Sequence, residues 1–169
     1  MGTAAWACSA SASINHHSSD PDDDKLTFVQ APPGPYGLGV TPVTLTVSDP
    51  YGGSNSCMAN VTVVDTTPPH IFRLTASPSV LWPPNNKWVP VRLSASAFDA
   101  CDGNVANSCQ IAWVSTHERG GHDRDTDYQI TGNLTVNLRA ERDTEYTIGV
   151  TCTDAAGNGA TRTVKVTVP

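Results

Sequence analysis

The chain has 169 residues, which is enough for one medium domain or two small ones. Its 16 acidic residues outnumber 10 Lys and Arg, and the net charge of −6 argues against nucleic acid as a partner and leaves cations as ligands. No stretch approaches the ~18 apolar residues of a membrane-spanning helix, so membrane insertion is not expected.

The first predicted unit spans residues 1–65 and contains about four short strands. They are predicted at residues 8–15, 26–30, 40–48 and 56–64, with a rigid Pro- and Gly-rich loop at 31–39. An Ig-like sandwich normally has at least seven strands. This unit is therefore expected to be small or to lack its leading strand.

A short, stiff linker follows at residues 66–69, Thr-Thr-Pro-Pro, because each proline fixes φ and restricts the residue before it. The second unit spans residues 70–169, with strands predicted at 71–77, 89–98, 109–116, 134–140, 145–153 and 160–168. Strands at this spacing, separated by turn residues, are typical of a sandwich. The predicted fold class is all-β, with two tandem Ig-like β-sandwich domains.

Both units end in the same predicted hairpin. Residues 44–64 and 149–169 align without a gap, so that Asp49 falls on Asp154 and Val61 on Val166. An Asp at the start of a tight turn accepts hydrogen bonds from the backbone of that turn. The repeat predicts duplicated closing hairpins, with a capping role for both Asp residues.

Four segments resemble the hyalin-repeat and PKD-like, Ig-like modules of bacterial extracellular proteins: VTLTVSDPYGG, NVTVVDTTPP, SVLWPPNNKW and YTIGVTCTDAAGN. The resemblance covers nearly the whole chain. It implies an extracellular or cell-surface module, of a kind found in adhesins, secreted hydrolases and surface arrays. The first unit departs from it by lacking a leading strand.

The five cysteines form no C-x-x-C pair, which favours disulfides in an oxidising compartment over a zinc or redox site. The alternative is five reduced thiols in the cytosol. Within the first unit the only pairing is Cys8 with Cys57. In the second we prefer Cys109–Cys152, because strands C and F are antiparallel neighbours in an Ig-like sheet; Cys101–Cys152 is the rival. The remaining thiol is expected to be buried or to link chains.

Two acidic segments are candidate Ca²⁺ sites, because this ion takes hard oxygen ligands from flexible loops. Their candidate ligands are Glu118, Asp123, Asp125 and Asp127 in one segment and Asp20, Asp22 and Asp24 in the other. The alternative for both is a solvated acidic turn, with Arg119 and Arg124 neutralising the longer loop. Asp65, Asp99 and Asp102 fall near the predicted joint, where a cation would stiffen the pair.

Other surface features point to binding rather than catalysis. Trp82 and Trp88 are a candidate aromatic platform for a glycan, although such residues more often cover a sandwich edge. Asn60 and Asn133 each begin an N-x-T glycosylation acceptor. No nucleophile, phosphate-loop or zinc-protease motif is present, so the protein is not expected to be an enzyme.

The resulting hypothesis is a structural or adhesive module pair, stabilised by disulfides and Ca²⁺. An incomplete first unit leaves an open sheet edge, so we expect assembly with other copies into a fibre by strand exchange. The alternative function is that of a carbohydrate-binding accessory module in a secreted hydrolase.

Overall fold

The computed structural model describes residues 8–118 and 127–169, without the side chain of Glu118. The chain divides into two compact units, the first ending at Thr67 and the second beginning at Pro68. This division falls inside the predicted linker. No helix in the described residues is long and apolar enough to cross a membrane.

Unit 1 is built from a three-stranded antiparallel sheet in the order β2-β4-β5 and a ribbon of β1 with β3. The strands are β1 (Ser9–Ala10), β2 (Thr27–Ala31), β3 (Tyr36–Gly37), β4 (Gly39–Ser48) and β5 (Ser54–Val63). The strand predicted at 8–15 is reduced to the two residues of β1. The predicted loop at 31–39 contains β3, which the sequence analysis missed.

The core of unit 1 is small, and hydrogen bonds to the side chain of Gln30 help to hold it together. Tyr36 is 3% exposed and packs with buried valines of β4 and β5. Its hydroxyl donates to the Pro32 carbonyl (3.1 Å) and accepts from Gln30 Nε2 (2.9 Å). Gln30 also accepts the Ile14 amide (2.7 Å) and donates to the Ala12 carbonyl (3.0 Å). Gln30 thus holds an irregular segment over the sheet where a regular strand was predicted.

Unit 2 is a two-layer sandwich. One sheet has the order β10-β11-β7-β6, with β8 on β7, and the other has the order β13-β12-β9. The strands are β6 (His70–Ser77), β7 (Trp88–Asp99), β8 (Gly103–Asn104), β9 (Gln110–Glu118), β10 (Tyr128–Gly132), β11 (Thr135–Arg139), β12 (Thr144–Thr153) and β13 (Gly159–Val168). These sheets correspond to the ABED and CFG sheets of an Ig constant-type domain. The predicted all-β, Ig-like fold class is confirmed.

Tyr146 near the start of β12 packs the core of unit 2 and closes one corner of it. Its side chain is fully buried, and its hydroxyl donates to the Arg139 carbonyl at 2.7 Å. A tyrosine at this place, bonded to backbone a few residues upstream, is a hallmark of Ig-like sandwiches.

The duplicated hairpins form as predicted. Asp49 Oδ1 accepts the Gly53 amide at 2.9 Å, and Asp154 Oδ1 accepts the Asn158 amide at 2.7 Å. The same turn is closed by backbone, from the Asp49 amide to the Gly53 carbonyl (3.0 Å) and from the Asp154 amide to the Asn158 carbonyl (3.1 Å). The capping role of both Asp residues is confirmed.

Candidate functional site

One predicted disulfide lies in the core of unit 2. Cys109 and Cys152 are joined at an S–S distance of 2.02 Å and are 1% and 0% exposed. Cys109 directly precedes β9 and Cys152 lies near the end of β12, and these strands are antiparallel neighbours. The structure therefore has the pairing that the sequence analysis preferred, and the rival Cys101–Cys152 pairing is wrong.

The predicted Cys8–Cys57 disulfide is also wrong. Cys57 is a free, exposed thiol, whereas Cys8 and Cys101 are each disulfide-bonded. Cys57 lies within β5, opposite Leu45 of β4, while β1, which follows Cys8, pairs with β3 instead.

Within the part of the chain that the structure describes, β5 is an edge strand with no strand paired on its outer side. It is the last strand in the order β2-β4-β5, and its ten residues pair with β4 in unbroken register. Residues 54–60, which we call the β5 edge segment, are all exposed, with Met58 at 73%. The strand contains neither a charged residue nor a proline. It thus lacks the usual devices that prevent a sheet edge from pairing with another chain.

Two outer strands of unit 2, β6 and β13, carry such devices. β6 contains Arg73 and a register shift between Ile71 and Arg73. β13 carries Arg162, which donates to the Ile71 carbonyl (2.8 Å), and Lys165, which pairs with Glu145 (2.7 Å). β5 lacks these devices, and at ten residues it is twice as long as β2, the uncharged edge strand on the other side of its sheet, which makes it a candidate interaction surface.

The predicted Ca²⁺ ligands differ in their surroundings, and some of them lie outside the described residues. Asp20, Asp22 and Asp24 each offer one oxygen within 4.8 Å of the others. Asp127 is fully buried and pairs with Arg139 at 3.4 Å. Asp123, Asp125 and the Glu118 side chain lie outside the described residues. Ca²⁺ binding at both segments stays a prediction.

A further acidic cluster in unit 2 combines Asp99, Asp102 and Asp154. Each offers one carboxylate oxygen within 4.8 Å of the others. Asp99 ends β7, Asp102 follows in the turn to β8, and Asp154 comes directly after β12. The sequence predicts only a turn-capping role for Asp154, because the approach of β7 and β12 across the sandwich is not visible in the sequence.

The other predicted surface residues are exposed. Trp82 is 72% exposed, and Trp88 is 41% exposed with the Arg139 guanidinium 6.0 Å from its ring centroid. Asn60 in β5 and Asn133 in the β10–β11 turn are both exposed, as a glycosylation acceptor requires.

The comparisons with known proteins give distant structural likenesses. No family profile and no curated protein matches the sequence. One similar structure is that of the fibronectin(III)-like modules of Clostridium thermocellum CbhA, with TM-score 0.33 and 15% identity over 92% of this chain and 82% of that one. Another is the human desmocollin-1 ectodomain, with TM-score 0.29 and 11% identity over 98% of this chain and 34% of that one. These values are too low to carry an argument about function. The hyalin-repeat resemblance stays a prediction.

Proposed function

We infer that this protein is a non-enzymatic extracellular module pair that associates with other copies along the β5 edge segment. The observation that carries this proposal is an exposed, uncharged, proline-free edge strand in regular register. Pairing of two β5 edges joins two copies, and such pairs would be the units of a cell-surface adhesive array. A fibre assembled by strand exchange needs a second contact and stays a prediction.

Backbone chemistry supports a second strand as the occupant of this edge. An edge strand presents amide and carbonyl groups to one side, and an added strand satisfies them with main-chain hydrogen bonds. The side chains of β5 are small or flexible: Ser54, Asn55, Ser56, Cys57 and Met58 begin it. None of them repels an identical strand by charge, so a second copy of this chain fits the edge.

Disulfide chemistry supports the extracellular location. Four of the five cysteines are disulfide-bonded. Such bonds persist in secreted and cell-surface proteins and are rare where glutathione keeps thiols reduced.

A charge placed on the β5 edge should prevent association. We expect the wild-type chain to form dimers whose fraction grows with concentration, and Met58→Lys to weaken this association by at least about tenfold, because paired strands would bring the introduced lysines close together. Sedimentation velocity across a concentration series measures this effect. Phe72→Lys is the matched control, because Phe72 is an exposed residue of β6 in unit 2 (57%) and the same charge there should leave association unchanged. A wild-type chain that stays monomeric at the highest concentration contradicts the proposal.

Carbohydrate binding is a second candidate function, favoured by the 72% exposure of Trp82. An exposed indole stacks on the apolar face of a sugar ring. We expect Trp82→Ala to abolish any glycan-array signal and Trp88→Ala to reduce it less, because Arg139 already stacks on Trp88. A wild-type protein that gives no signal on the array eliminates this function.

A further inference from the structure

The Asp99, Asp102 and Asp154 carboxylates have the spacing of a single-ion site. Their nearest available oxygens lie within 4.8 Å of one another. Ca²⁺ binds oxygen at about 2.4 Å, so two oxygens on the same ion are at most about 4.8 Å apart. One ion can therefore contact all three side chains.

A buried carboxylate oxygen of Asp99 independently indicates that a ligand is missing. Its side chain is 1% exposed, and its Oδ1 accepts the amides of Cys101 (2.7 Å) and Asp102 (3.0 Å). Its Oδ2 is buried and has no hydrogen-bond partner within residues 8–118 and 127–169. A buried carboxylate oxygen without a partner is strongly disfavoured, and a bound cation removes that penalty.

The cluster also lacks a protein counter-charge. Within the part of the chain that the structure describes, no Lys or Arg forms an ion pair with Asp99, Asp102 or Asp154. Their remaining contacts are to amides: Asp102 Oδ2 accepts the Ala155 amide (2.7 Å), and Asp154 Oδ2 accepts the Asn158 side-chain amide (2.8 Å). Three like charges at this separation repel one another. A divalent cation bound between them attracts all three carboxylates and offsets this repulsion.

We propose that Asp99, Asp102 and Asp154 bind one Ca²⁺ ion. The ligands are all oxygens, and the neighbouring Cys101 is disulfide-bonded and offers no thiolate, which disfavours zinc. Carboxylates from a turn and a strand end suit the flexible coordination of Ca²⁺ better than the strict octahedron of Mg²⁺. Backbone carbonyls and water complete the shell.

The bound ion would clamp the two sheets of unit 2. Asp99 ends β7 in one sheet and Asp102 lies in the turn after it, whereas Asp154 follows β12 in the other sheet. This site is separate from the β5 edge of unit 1, and neither proposal depends on the other.

Calorimetry and titration of the intact chain with CaCl₂ test the site. We expect one saturable binding event assigned to unit 2 and a melting temperature that rises by about 10–20 °C when Ca²⁺ exceeds its Kd about 100-fold, compared with EDTA. Asp102→Asn should weaken binding at least tenfold, while its remaining side-chain oxygen still accepts the Ala155 amide. Asp99→Asn should act in the same direction.

Two controls locate the ion. Asp143→Asn makes the same change at the opposite end of β12 and should bind Ca²⁺ like the wild type. A variant with Asp20, Asp22 and Asp24 all changed to Asn should also retain the unit 2 event. Binding that survives Asp102→Asn, that is lost in the triple variant, or that Mg²⁺ reproduces with equal affinity overturns the proposal, as does an absence of binding in the wild type.

Discussion

Replacing both Cys109 and Cys152 by Ala should lower the stability of unit 2 by about 4 kcal/mol. The two residues are separated by 43 positions, and in the chain-entropy account a cross-link closing a loop of that length restricts the unfolded chain by about this amount. Both sulfurs also lie in the core, so their loss leaves a small void. In a domain of about 100 residues the expected fall in melting temperature is roughly 15–30 °C, which differential scanning calorimetry resolves.

Cys57→Ala is the control for this experiment. Cys57 is a free, exposed thiol, so its replacement removes neither a cross-link nor a packed side chain. We expect the melting temperature of unit 2 in this variant to stay within about 2 °C of the wild type. A double variant of Cys109 and Cys152 that melts like the wild type would show that the bond contributes nothing to stability.

Leu45→Ala should unfold unit 1. Leu45 is 2% exposed on the inner face of β4, and truncating a buried Leu costs about 2–5 kcal/mol. A unit of about 60–70 residues has a total stability of the same order, because it buries little surface. The core of unit 1 is small, centred on Tyr36, Val43, Val61 and Val63. Hydrogen exchange measured by mass spectrometry should show loss of protection in β4 and β5 while β12 and β13 stay protected.

Val150→Ala makes a comparable change at the corresponding position of the second hairpin. Val150 is fully buried, but the core of unit 2 is much larger. We expect a loss of about 2 kcal/mol with the unit still folded. Equal loss of protection in both units of the Leu45→Ala variant would contradict independent cores.

The parts of the fold that the sequence predicted are those set by local pattern. The alternating strands, the Asp-capped turns and the Thr-Thr-Pro-Pro linker each follow from residues close together in the chain. The Cys109–Cys152 bond was predictable because an Ig-like strand order makes β9 and β12 neighbours. β10 was missed, because it is only five residues long and follows an acidic loop that gives no strand signal.

The features that the sequence did not predict depend on contacts between distant residues. Tyr36 is a core residue only because Gln30 and the Pro32 carbonyl satisfy its hydroxyl. Asp154 joins Asp99 and Asp102 only because β7 and β12 end at the same side of the sandwich. Tertiary structure likewise decides that Cys8 is disulfide-bonded and that Cys57 stays a free thiol. The positions of five cysteines in a sequence do not determine which of them pair.

The distance between Cys57 residues of neighbouring copies tests the proposed β5 association most directly. Cys57 is the free thiol of the chain, so a nitroxide label attaches there without mutation. Paired strands lie about 4.8 Å apart and a ten-residue strand spans roughly 33 Å, so labels on paired β5 strands should lie within about 30 Å. Pulsed dipolar spectroscopy of the fully labelled chain should show such distances, and they should disappear in Met58→Lys. Labels that show no such coupling in concentrated wild-type protein, or coupling that persists in Met58→Lys, would contradict assembly along this edge.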